Sequence, residues 1–454
     1  ARNYWGYMTS FFHAPETIYS SQASLEPNKV IGKASNAVNE LKNLVKSLHQ
    51  ENIAVIMDVV YNHASTYDQN PLKILAKEQY FQLDNQGNYI NNSWTGNDIK
   101  SSNHQSRALI VESILHWIRE YHIDGFRFDL AGILDWETID LIKYEAQKIN
   151  HNVILIAERW GGNYKPSGFS DHGWLAWTDK IRNGVKGSHP ISDKGFIFGG
   201  WNHETSRFAL ENFIRGTLKN AEKGLFNTSA HSVNYIESHD GYTLGDFIRI
   251  SLDHSKIEQV FEHKRELTNL SSKELSIAKL AALTLFVSQG VTMIHCGQEW
   301  ARSKLIFDPK GLDPRNGKLD HDSYNKDNET NWLNFNEIEI NKSLFNYYVD
   351  LVQLRKTAPA LRKANSEDIH FKVYNDPLHV TFSIQTSKDV DIYEYYISLN
   401  GNPSQENYIM LPEGKWQMLV NDKNSLLNKA IITIENSYTL PPSSGVLLRK
   451  LRKE

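Results

Sequence analysis

A single cysteine, Cys296, stands among 454 residues, so no internal disulfide can form and a zinc site built on cysteines is excluded. Neither sign of charge dominates. The 49 Lys and Arg set against 53 Asp and Glu leave a formal charge of -4, which argues against nucleic acid or a membrane surface as the main partner. No apolar run approaches the roughly 20 residues of a membrane-crossing helix. Internal repeats and low-complexity tracts are missing too. The chain opens Ala1-Arg2-Asn3 without an initiator Met or a signal-peptide pattern. The natural N-terminus is therefore expected upstream or removed, and the compartment stays open.

What is present is ordinary for a globular chain, with 40% hydrophobic residues. The length exceeds the size at which one core stops growing, so a large domain plus a smaller one is expected. The 11 Trp and 21 Tyr supply flat apolar rings that suit either sugar faces or a core. Helix-period segments run over Val38–Leu48, Arg107–Tyr121, Ile139–Ile149, Lys273–Val287 and Leu344–Lys356. Between them lie continuous apolar runs, Ile53–Val60 and Val153–Ala157, which read as strands buried on both faces of a parallel sheet. Trp174–Trp177, Ser232–Ile236 and Val291–His295 are further strand candidates, and His295 and Cys296 read as buried strand residues. Residues 64–106 turn polar and read as a loop excursion over a binding site. From 365 to 454 short alternating runs such as Val380-Thr-Phe-Ser-Ile384 predict an antiparallel β-sandwich.

The chemistry gathers where apolar runs end. In Asp124-Gly-Phe-Arg-Phe-Asp129, Arg127 and Asp129 are two apart and share one face of a strand. A carboxylate beside an arginine at the carboxyl end of such a strand suits a nucleophile, and equally a buried ion pair that only closes the strand. Asp58 and His63, Glu158, and His239 with Asp240 end other runs in the same way. Gathering so many buried acids without a use is costly.

Asp58-Val-Val-Tyr-Asn-His63, Gly125-Phe-Arg-Phe-Asp129, Ala157-Glu158 and Ser238-His239-Asp240 resemble, in order, the four signature regions of the α-amylase superfamily. Tyr80-Phe-Gln-Leu-Asp84, Trp94-Thr-Gly-Asn97 and His321-Asp-Ser-Tyr-Asn325 with Asp327-Asn-Glu329 extend the resemblance over nearly the whole chain. Asn3-Tyr-Trp-Gly-Tyr7, Trp160 and His239-Asp-Gly-Tyr-Thr-Leu244 resemble the debranching branch: isoamylases, glycogen debranching enzymes and pullulanases. Glu237-Ser-His-Asp240 also resembles branching enzymes, so α-1,4-acting amylase or branching chemistry stays open. A metal-dependent hydrolase and a non-catalytic glucan-binding subunit are the other readings.

The resemblance implies a retaining glycoside hydrolase on a (β/α)8 barrel over residues 1–364, followed by the sandwich of 365–454. It assigns Asp129 as nucleophile, Glu158 as general acid and base, and Asp240 as stabiliser of the transition state. Substrate contacts fall to Tyr7, His63, Arg127, Trp160 and His239; for Asp58 a contact and a structural role stand side by side. The partner implied is an α-glucan polysaccharide or oligosaccharide. No cofactor is implied, and Asp84, Asn85 and Asn88 show no calcium-loop pattern. The first two barrel strands have no counterpart in the sequence. A longer polypeptide or a separate N-terminal piece completing the barrel is therefore expected.

Overall fold

The computed structural model describes residues 5–21, 36–66, 69–161, 166–203, 205–326, 328–422 and 432–451. Asn3, Tyr4 and Asp327 of the motifs above lie outside them. By internal contacts the chain divides into two units, Gly6–Trp177 and Thr178–Glu454 with Trp5.

In Gly6–Trp177 strands and helices alternate. Strand β1 (Ile56–Val59) pairs in parallel with β2 (Gly125–Phe128), which pairs with β3 (Ile154–Ala157), which pairs with β4 (Leu175–Thr178). Helix α1 (Asn36–Gln50) precedes β1, helices α2 (Pro71–Tyr80) and α3 (His104–Tyr121) lead from β1 to β2, and α4 (Trp136–Ile149) leads from β2 to β3. Parallel neighbours require such crossovers. In α3 the buried Ile110, Ile114, Trp117, Ile118 and Tyr121 recur at helical spacing. Asn103 caps its start by accepting from Gln105 N, and His122 at φ 55° ends it, so that the chain turns into β2. Phe126 and Phe128 are fully buried, and the alternation places Arg127 on the opposite face.

Two expectations are corrected here. The stretch 64–106 is not a structureless excursion, because it contains α2, started by Asn70, whose side chain accepts from Leu72 N, and by Pro71 in the first turn. The run Ile53–Val60 is not buried on both faces. Ile53 is 50% exposed and Ile56 38%, because β1 has a partner, β2, on one side only among the described residues.

In Thr178–Glu454, β5 (Ser232–Asn234) and β6 (Val291–Thr292) form a parallel pair. Helices α5 (Arg207–Ile214), α6 (Leu244–Leu252), α7 (Ser272–Val287) and α8 (Lys342–Thr357) surround a large apolar core. Helix α7 is buried nearly all round and opens with a capping box between Ser271 and Glu274. Here His295 and Cys296 depart from expectation. Strand β6 stops at Thr292, His295 is partly buried in the following loop and Cys296 is exposed in a turn. Gly297 at φ 102° continues that turn into Gln298–Trp300.

The C-terminal region is antiparallel. Strands β7 (Ile369–Lys372), β8 (His379–Ile384), β9 (Tyr393–Asn400), β10 (Asn407–Met410), β11 (Trp416–Val420), β12 (Ile432–Ile434), β13 (Ser437–Leu440) and β14 (Ser444–Leu451) make two sheets. The larger runs β12-β11-β14-β9-β8-β7, and β10 pairs with β13. Period 2 sorts their side chains. Tyr396, Val446 and Leu448 pack with Ile409 and Leu440 of the small sheet, while Ile397, Leu399 and Leu447 join the core with α7 and α8.

Candidate active site

Each of β1, β2 and β3 delivers polar side chains at its carboxyl end. Asp58 and Arg127 are register partners, so their side chains emerge on one face. The chain then places Asn62 and His63 after β1, Asp129 after β2 and Glu158 after β3. Asp129 N donates to Val59 O and Glu158 N to Phe128 O, which carries the ladder one residue past each strand.

Arg127 joins these acids. Its Nη1 lies 2.8 Å from Asp58 Oδ1 and 3.2 Å from Asp129 Oδ1, and its Nη2 lies 2.8 Å from Glu158 Oε2. Only 5% of the guanidinium-bearing side chain is exposed, and its Cζ lies 4.2 Å from the Trp177 ring centroid. Burial opposes its charge, but Glu158, Asp58, Tyr7 and Asp129 outweigh burial and hold its pKa well above the arginine value. The planar fork suits bridging carboxylates in two directions.

Each acid has a second anchor. Asn62 Nδ2 donates to Asp129 Oδ2 at 2.8 Å, and Tyr7 Oη donates to Asp58 Oδ2 at 2.5 Å. Burial, followed by the neighbouring Asp58, pushes the Tyr7 phenol upward, so it stays a donor. Glu158 Oε2 accepts from Leu130 N at 3.0 Å. Leu130 sits at φ 38°, a left-handed backbone that a leucine adopts only under constraint. His63 is buried, its Nδ1 2.5 Å from Asn62 Oδ1 and its Nε2 2.9 Å from Tyr7 O. Both ring nitrogens face carbonyl oxygens, so a neutral ring satisfies one of them and an imidazolium both. Burial lowers its pKa below the ordinary histidine range. Trp160 is partly buried two residues beyond Glu158, 5.9 Å from the Arg159 guanidinium.

The other unit carries His239 and Asp240 past β5. His239 Nε2 lies 3.3 Å from Asp240 Oδ1, and the Asp240 side chain is 41% exposed. Behind them Glu237, fully buried, receives Leu244 N at 2.7 Å and pairs with His295 Nδ1 at 2.7 Å. Burial opposes its charge, yet His295 and Arg302 keep its carboxyl below the usual glutamate range. Lys304, 1% exposed, donates to the His239 carbonyl. Burial, reinforced by Arg302, lowers the Lys304 pKa to about 7. Trp5 completes this cluster, its ring centroid 5.2 Å from that of His239 and its Nε1 donating to Asn331 Oδ1 at 3.3 Å.

Of the residues singled out from sequence, Tyr7, Asp58, His63, Arg127, Asp129 and Glu158 form one linked cluster, and His239 with Asp240 forms another. Sequence reading missed Lys304, Arg302 and Trp177. Asp84 spends its carboxylate on Gln86 N, Asn88 N and Asn88 Nδ2, the bonds of its own turn.

No family model matches the chain. It is 30% identical over 376 residues to the pullulanase of Bacillus subtilis strain 168, covering 80% of this chain and 47% of that protein. Isoamylase 3, chloroplastic, of Oryza sativa subsp. japonica is 28% identical over 509 aligned positions, covering 98% of this chain and 59% of the relative. Among solved structures, pullulanase type I from Bacillus subtilis complexed with maltose superposes with a TM-score of 0.82 at 26% identity, over 99% of this chain and 59% of that one. The chain thus spans about half the length of the relatives it matches. The chain is similar to pullulanases and to an isoamylase.

Proposed function

We propose that the chain is a retaining α-glucan hydrolase that cleaves α-1,6 branch links in glycogen, amylopectin or pullulan. One observation carries the reading: a single buried guanidinium fastens Asp58, Asp129 and Glu158 at the carboxyl ends of adjacent parallel strands, where barrel enzymes keep their catalytic groups. The likeness to a pullulanase complexed with maltose supports an α-glucan as ligand.

In this mechanism Asp129 attacks the anomeric carbon as the bond to the bridging oxygen breaks, and Glu158 gives that oxygen its proton. Water then attacks the same carbon, Glu158 takes up the water's proton and Asp129 leaves, so configuration is retained. To deliver its proton Glu158 must carry it on the oxygen turned away from Arg127. Asn62 and Arg127 keep both Asp129 oxygens occupied until the sugar arrives. Tyr7, its phenol directed to Asp58, and His63 line the same cluster as sugar contacts, with Trp160 at a neighbouring subsite. Asp240 and His239 are assigned to the transition-state sugar on the resemblance of Ser238-His239-Asp240.

Product analysis on pullulan tests the proposal. Release of maltotriose, abolished by Asp129→Asn, is expected. Shorter linear products with the 1,6 links intact would instead mark an α-1,4-acting enzyme.

A further inference from the structure

The loop that joins α2 to α3 displays an indole that neither the core nor the proposed chemistry uses. Trp94 is 74% exposed and sits at φ 60°, a left-handed backbone that costs energy for any residue with a β-carbon. Its surroundings are rigid. Asp98, fully buried, accepts from Asn92 N at 2.7 Å and Ser93 N at 2.9 Å. Asn91 Oδ1 accepts from Gly96 N at 2.7 Å, and Ser93 Oγ meets Thr95 Oγ1 at 2.7 Å. Thus both sides of Trp94 are tied, and the strained backbone is held rather than sampled.

The same loop is fastened to the catalytic segment. Asn97, 1% exposed, accepts from Ala64 N at 3.0 Å and donates to Ala64 O at 2.9 Å. Ile99 N donates to Asn62 O at 2.8 Å. Ala64 follows His63, and Asn62 holds Asp129. Two residues, Thr95 and Gly96, separate Trp94 from Asn97, so their Cα atoms lie at most about 11 Å apart, and the indole stands on the loop that is fastened to the segment of Asn62 and Ala64.

From this we propose that Trp94 is a stacking platform for an α-glucan strand, a sugar subsite outside the reacting ring that sets preference for longer chains. It rests on the glucan reading of the site. An aromatic face matches the apolar face of a pyranose ring, and a fixed indole loses little entropy on binding.

The test uses Trp94→Gly and Trp94→Tyr in the full chain, with maltohexaose and maltose as probes in calorimetric titrations. Glycine adopts φ 60° without strain, so Trp94→Gly is expected to melt no lower than the unaltered protein. It is expected to bind maltohexaose about fivefold or more weakly, with maltose affinity unchanged, while Trp94→Tyr retains binding. Equal maltohexaose affinity in all three proteins overturns the inference, and so does an equal loss for maltose and maltohexaose. Titration does not depend on turnover. An unaltered protein that neither binds nor cleaves any glucan defeats the underlying reading, whereas one that does both with Trp94 dispensable defeats this inference alone.

Discussion

Replacing Arg127 with methionine leaves Asp58, Asp129 and Glu158 without their common cation. The Glu158 and Asp129 side chains are 3% and 13% exposed, whereas that of Asp58 is 42% exposed; stranding the two buried charges costs about 3–5 kcal/mol, and denaturant unfolding of Arg127→Met is expected to show a loss of that size. Arg127→Lys keeps the charge but not the fork that reaches two acids from one nitrogen and a third from the other. Displaced by about an ångström, the acids are expected to lose on the order of 100-fold in kcat. A second residue-scale expectation concerns Lys304. With its folded pKa lowered to about 7 against 10.5 for the ordinary ammonium, the unfolded chain holds a proton between those values that the folded chain has released. Folded stability therefore rises with pH through that window and is penalised below it. Lys304→Met removes that proton difference and is expected to flatten the rise by about 1.4 kcal/mol per pH unit. Lys186, also lowered to about 7 by burial, keeps part of the slope. Chemical denaturation across the window measures it, and an unchanged slope would show that Lys304 is charged in the folded state.

Among the elements, β2 depends on a close approach to β3. Gly125 faces Ile154 in register, and a β-carbon there would lie 2.5 Å from Ile154 O and 2.7 Å from Ile154 Cβ. Gly125→Ala is expected to cost about 1–3 kcal/mol as the strands part, seen as a lower denaturation midpoint. It is also expected to reduce activity, because Arg127 and Asp129 ride on the same strand. Much of this architecture was legible in the chain. The two-residue spacing placed Arg127 and Asp129 together, and helical periodicity located α3, α4, α7 and α8 to within a few residues. Helix α2 was missed because its short apolar set lies in a polar stretch, although Asn70-Pro71 is a start signal. His295 and Cys296 were misplaced because an apolar run shows where a strand can form, not where a turn through Gly297 ends it. The burial of Lys304 was invisible, since nothing local tells a lysine that packs beneath His239 from one in solvent.

For the whole molecule, the small formal charge of -4 suits the neutral polymer proposed as partner, and among the described residues no helix is long and apolar enough to cross a membrane. The chain covers about half of its relatives' length, and on the proposed reading the preferred glucan depends on loops such as that of Trp94. The site's core, however, sits within Gly6–Trp177, so its chemistry is tested without reference to that preference. The most direct measurement is the anomeric configuration of the newly formed reducing end, read by proton NMR in the first minutes of pullulan cleavage. An α-anomer that appears first, and is absent with Asp129→Asn, is the expected result. A β-anomer, or undiminished release by Asp129→Asn, would contradict nucleophilic attack by Asp129.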